Sequence, residues 1–152
     1  MPDRSVDAVL VGQAWHWFDA ERARAEITRV LRTGGVLALL RNGEDGQVDW
    51  VAGFLDAVEW SSRAGGAARR TFLPPDEVLV DVTEQRFPNP HPTDTDSMIA
   101  RLNTFSWVLT APPAERAALL ERARTYLADR PETSSGQFTL PLVTTVLRAL
   151  RR

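Results

Sequence analysis

The chain contains neither cysteine nor lysine. Without cysteine there can be no disulfide, no thiolate metal ligand and no thiol nucleophile, and the redox compartment is left open. Without lysine, all 18 basic side chains are arginine, which excludes Schiff-base chemistry and a phosphate-loop lysine. Histidine is scarce too. His16 and His91 stand far apart in sequence with no clustered carboxylates, which argues against a metal site. No apolar run approaches the roughly 20 residues of a membrane-spanning helix. Residues 1–5 (Met-Pro-Asp-Arg-Ser) lead into no signal-peptide core, so the expected location is cytoplasmic. A net charge of −2 gives no bulk pull toward nucleic acid or a membrane surface. The 152 residues, 43% hydrophobic and 25% charged, suit a single globular domain over residues 1–152 with one core.

What is present starts with a strand–helix–strand unit over residues 6–42. Val6, Val9, Leu10 and Val11 show little polar alternation, the pattern of a strand covered on both faces. Asp19 is a good N-cap, and Glu21 puts a carboxylate in the first turn of the helix that follows. Ala23, Ile27, Val30 and Leu31 form one apolar stripe, and Arg29 and Arg32 sit near the negative helix end. Gly34 or Gly35 is expected to take the left-handed position that stops the helix. Val36 to Leu40 then form a second buried strand, parallel to the first because a helix-length crossover joins them.

Further on, a helix is expected over 48–63, a loop over 64–77 and a strand over 78–88. Pro88, Pro90 and Pro92 argue against regular strand pairing immediately afterwards. The Thr93–Asp96 cluster caps a helix over 96–109, so Asp94 and Asp96 read as caps rather than as an acid pair. Pro112-Pro113 introduces another helix over 113–128, with Ala117, Leu120, Ala123, Tyr126 and Leu127 as its stripe. Leu142 to Leu147 form the last strand, expected antiparallel at the sheet edge.

Four segments in order resemble the C-terminal half of class I S-adenosylmethionine-dependent methyltransferases, in particular the type 11 branch. They are DAVLVGQAWHWFD (7–19), EITRVLRTGGVLAL (26–39), TFSWVLTAPPAER (104–116) and FTLPLVTTVLR (138–148). The resemblance implies an α/β fold: the last strands of a Rossmann-like sheet, parallel with an antiparallel edge hairpin, and flanking helices. It implies methyl transfer from S-adenosylmethionine to a small molecule. The departure is also clear, because no G-x-G-x-G turn follows any strand in these residues. The expectation is a chain that lacks the donor-binding N-terminal strands and is impaired in donor binding and transfer when isolated.

The site follows from the rule that ligands bind at the carboxyl ends of strands in such sheets. His16, just past the first strand, reads either as a general base or as a loop residue packed between Trp15 and Trp17. Trp15, Trp17 and Phe18 read either as a donor-facing aromatic wall or as core. The resemblance implies that Gln13 and Ala14 touch the donor. Arg41 and Asn42 end the second strand at the ligand edge and are substrate-binding candidates. His91, between two prolines, is either a substrate contact or part of a rigid surface loop. A non-catalytic alternative is an interaction module that pairs with another chain, or a second copy, through the exposed edge of residues 6–11.

Overall fold

The computed structural model describes residues 1–63 and 77–152. Most of the loop expected over 64–77 lies outside the described residues. In chain order the elements are β1 (Val6–Gly12), a 3-10 turn (Trp15–Trp17), α1 (Ala20–Val30), β2 (Leu31–Glu44), α2 (Asp49–Ala57) and α3 (Trp60–Arg63). They continue with β3 (Leu79–Pro88), β4 (His91–Asp94), α4 (Thr95–Leu102), α5 (Ser106–Leu109), α6 (Pro113–Ala128), β5 (Gln137–Leu140) and β6 (Leu142–Arg151). They fall into two compact units. The first holds residues 1–43, 77–87 and 143–152, and the second holds 44–63 and 88–142. The buried apolar residues accordingly form two clusters instead of the one core expected.

The first unit carries a four-stranded sheet in the order β1-β2-β6-β3. β1 and β2 are parallel, with Val9 opposite Leu37 and Gly12 opposite Leu40. Asp19 caps α1 as expected, accepting the Arg22 backbone N–H at 3.1 Å. Ile27 and Val30 of α1 are buried, as are Leu31, Leu37 and Leu39 of β2. Each large side chain fully removed from water contributes about 1.5–3 kcal/mol.

Three expectations change in this unit. The helix ends at Val30 without a glycine cap, because Leu31 is already extended. Gly34 does take the left-handed region (φ 77°), but inside β2, where the register with β1 shifts between Val6 and Ala8. It relieves a bulge and does not stop a helix. β1 is covered on one face only: Val11 is buried and Val9 partly so, while Leu10 is 69% exposed. β6, finally, is not an edge strand but lies between β2 and β3. Arg151 Nη1 donates to Leu31 O at 2.7 Å and Thr144 to Asn42, so β6 runs antiparallel to β2. It is antiparallel to β3 as well, since Arg152 N–H donates to Val78 O and Asn89 N–H to Leu142 O.

The second unit packs α2, α4, α5 and α6 around Val51, Phe54, Val58, Ile99, Leu119 and Leu127, beside a β4–β5 antiparallel pair. The helix expected over 48–63 stops at Ala57, and Glu59 adopts φ 56°. Packing overrides helix preference here: Val58 is fully buried, and the Trp60 ring sits 4.9 Å from that of Phe105. The helix expected over 96–109 splits at Asn103–Phe105. There Thr104 Oγ1 donates to Arg101 O, and Asn103 Oδ1 accepts from Arg116 Nε. Such short polar side chains compete with helical bonding. Pro92 does join a strand, opposite Thr139. A two-stranded ribbon tolerates it because each strand keeps an outward edge. On α6 the buried face runs through Leu119, Ala123 and Leu127, and Ala117 is exposed. Asp94 caps α4, and the Ser97 backbone N–H at 2.7 Å holds its carboxyl below the ordinary value.

Two substitutions probe the second unit. A Cβ on Gly53 would sit 3.1 Å from Tyr126 Cζ and nearer still to the hydroxyl, which donates to Trp50 O at 2.9 Å. Gly53→Ala should cost about 1–3 kcal/mol despite alanine's helix preference, and adding Tyr126→Phe should recover part of the loss. Urea denaturation of the four-member cycle checks this, and strictly additive effects would refute the clash. Thr133 is 1% exposed and donates to Leu127 O in the last turn of α6. Thr133→Val should cost about 1–3 kcal/mol in the same assay, because it leaves that carbonyl without its partner.

Candidate functional site

Parallel pairing brings the carboxyl ends of β1 and β2 to one edge. Gln13 leaves β1 in the left-handed region (φ 55°), which costs a non-glycine residue on the order of 1–3 kcal/mol. Two bonds offset that strain: its N–H donates to Leu40 O at 2.9 Å, and its Nε2 donates to Asn42 O at 3.2 Å. Gln13 thus ties the two strand ends together. Asn42 is further bonded through its side chain, whose Oδ1 accepts from Thr144 Oγ1 at 2.6 Å. Arg41, beside it, is exposed.

The 3-10 turn starts at once. Ala14 O accepts the Trp17 N–H at 3.0 Å, and Trp15 O accepts the Phe18 N–H at 3.1 Å. This tight turn sends successive aromatic rings in opposite directions. Trp15 is 5% exposed and joins Val11, Ile27 and Leu39 in the core, with its Nε1 buried and unpartnered. Trp17 is 75% exposed, and its ring lies 4.8 Å from that of the half-exposed His16. Trp17 and Phe18 border an open groove of about 790 Å³ along α1, with Arg22, Ala23, Glu26 and Arg29. Arg29 is engaged by Glu26 and by Asp3, and its bond to Glu26 holds that carboxyl below its ordinary value.

Gln13, Ala14, Trp15, His16, Trp17, Arg41 and Asn42 therefore all belong to the first unit, near its strand ends. His91 belongs to the second unit, where it is exposed at the start of β4 opposite Leu140. Thr144 carries no sequence signal for this region, because an apolar last strand suits the sheet edge equally, and only the position of β6 beside β2 brings its hydroxyl to Asn42. Among the described residues no group of three or more His, Cys, Asp or Glu side chains could hold a metal ion. None of the described helices is long and apolar enough to cross a membrane.

Residues 1–39, which contain β1, α1 and the start of β2, match the methyltransferase domain family. An uncharacterized methyltransferase of Mycobacterium tuberculosis is 37% identical over 151 residues, covering 98% of this chain and 60% of that protein. An uncharacterized methyltransferase of Schizosaccharomyces pombe is 51% identical over 51 residues, 34% of this chain and 20% of that protein. Among solved structures, one described as a type II methyltransferase from Anaeromyxobacter dehalogenans is 26% identical with a TM-score of 0.52, covering 99% of this chain and 66% of that one. A methyltransferase assigned to an antibiotic biosynthesis pathway of Anabaena variabilis shares the fold at 20% identity, with a TM-score of 0.53 over 96% of this chain and 68% of that one. The chain spans 60% of the length of the mycobacterial relative. Within that span, the family match, the mycobacterial relative and the Rossmann-like α/β fold support a class I S-adenosylmethionine-dependent methyltransferase.

Proposed function

We propose that residues 1–152 supply the acceptor side of an S-adenosylmethionine-dependent transfer of a methyl group to a small molecule. The observation that carries this reading is the clamped pair of strand ends, with Gln13 bonded to β2 and the aromatic turn beginning directly after it. S-adenosylmethionine, when bound, supplies an electrophilic methyl group on a sulfonium. The residues present suit such a group, since the exposed indole of Trp17 offers a π face to a cation. Gln13, Ala14 and Trp15 shape the donor-facing turn. His16 can accept the proton that a nucleophilic acceptor loses, and Arg41 and Asn42 orient the acceptor. A substrate contact by His91, exposed at the start of β4 between Pro90 and Pro92, is proposed for the second unit.

No G-x-G-x-G turn follows a strand in these residues, so the isolated polypeptide is expected to bind the donor weakly and to transfer methyl groups poorly. A second reading has one observation in its favour. β1 ends the sheet and Leu10 on it is 69% exposed, so another chain or a second copy can pair along residues 6–11. Light scattering separates the two, because the mass of a single chain would count against pairing.

Titration calorimetry should show no micromolar affinity for S-adenosylmethionine, and a micromolar constant would overturn the weak-binding expectation. Saturation-transfer NMR at millimolar donor should still detect contact. Trp17→Ala should weaken binding about two- to thirtyfold, the equivalent of ~0.5–2 kcal/mol of cation–π attraction. Trp17→Ala should leave stability within about 0.5 kcal/mol, whereas Trp15→Ala should cost about 3–5 kcal/mol in urea. An unchanged saturation-transfer signal in Trp17→Ala would remove Trp17 from the donor site.

A further inference from the structure

Asn42 is held at two points and open at a third. Its backbone carbonyl accepts from Gln13 Nε2 at 3.2 Å, and its side-chain Oδ1 accepts from Thr144 Oγ1 at 2.6 Å. A primary amide carries one acceptor oxygen and two N–H donors. The Thr144 hydroxyl engages the oxygen, so the Nδ2 protons are left over, and no bond within the described residues uses them. Asn42 is exposed, two residues before the end of β2 and bonded to Gln13 just past the end of β1. Thr144 reaches it only because β6 lies antiparallel beside β2.

We propose that Thr144 is a positioning residue for the methyl acceptor. Its hydroxyl turns the Asn42 amide so that the Nδ2 donors face the ligand edge. The group recognised there is an oxygen with a free lone pair: a hydroxyl, carbonyl or carboxylate of the acceptor. The identity of the ligand as a methyl acceptor rests on the proposed methyl transfer; the orientation of the amide does not. Fixing the amide before binding removes part of the ordering cost that a free side chain would bring. It also sets a preference. An acceptor with only hydrocarbon or a quaternary ammonium at this point leaves the donors unpaired.

NMR on the 152-residue chain labelled with 13C and 15N tests both halves. In Thr144→Val, the Asn42 13Cγ resonance should move upfield, as expected for a carbonyl that loses a donor, while Nδ2 stays nearly in place. Thr144→Ser should keep the wild-type shift. Unchanged backbone amide peaks elsewhere show that each variant is folded. A 13Cγ resonance that stays while the Nδ2 protons move would mean that the amide is turned the other way, and the proposal falls. A Thr144→Ser spectrum matching that of Thr144→Val would also overturn it. Acetamide, as a small carbonyl probe, should shift the Asn42 Nδ2–H peaks in the wild type and in Thr144→Ser. In Thr144→Val the shift should be at least threefold smaller (on the order of one hydrogen bond's net worth), and equal shifts would overturn the recognition half. These signals report on Asn42 and not on methyl transfer. The absence of any saturation-transfer contact with millimolar S-adenosylmethionine would therefore count against the proposed function and leave the amide orientation standing.

Discussion

The parallel hydrogen bonding of β1 to β2 is the constraint on which the candidate site depends. An antiparallel pair would send the two strand ends to opposite edges of the sheet. The parallel pair sends both to one edge, so Gln13–Phe18 and Arg41–Asn42 emerge side by side. The crossover that makes this possible is α1, eleven residues long, held down by Ile27 in one core cluster with Leu31, Leu37 and Leu39. Apolar burial therefore sets the geometry of a polar edge that it does not touch.

Register matters as much as direction. Side chains alternate along a strand, so a slip of one residue in β2 would turn Leu37 and Leu39 away from the core cluster they share with Ile27 and put Ala38 in their place. The bulge at Gly34 takes up the irregularity between the Val6 and Ala8 pairings, and from Ala8 to Gly12 the register is continuous. The strained backbone of Gln13 comes directly after that continuous stretch, and it is stable there because β2 supplies two acceptors in the right places. Strain of this kind at a strand end is an observation from which function can be inferred, provided that the surrounding bonds are named.

Much of the local structure was legible in the amino-acid order. The cap at Asp19, the start of α1, the cap at Asp94, the start of α6 at Pro113 and the strand over Leu79–Pro88 all follow from capping residues, prolines and apolar spacing. The four family-like segments carried the assignment that the comparisons support. Less legible were the helix breaks at Glu59 and Asn103. The first depends on what Val58 and Trp60 pack against, the second on a bond from Arg116 thirteen residues away. The buried face of α6 was also displaced, since an alanine-rich helix with apolar residues on several sides does not declare which of them meets the core.

Periodicity, caps and the length of the crossover determined from sequence alone that β1 and β2 would be parallel, and so that Gln13 to Trp17 and Arg41 to Asn42 would lie at one edge of the sheet. Those are properties of short segments, written in side-chain pattern and backbone preference. Only the tertiary structure decided that β6 lies between β2 and β3, and so that Thr144 bonds Asn42 across 102 positions of sequence. The apolar composition of β6 suits an edge or an interior place equally, and its neighbours are chosen by how the sheet packs. The same holds for the two tryptophans of the turn. The sequence named both as candidates for a pocket or a core, and the 3-10 geometry sent Trp15 inward and Trp17 out.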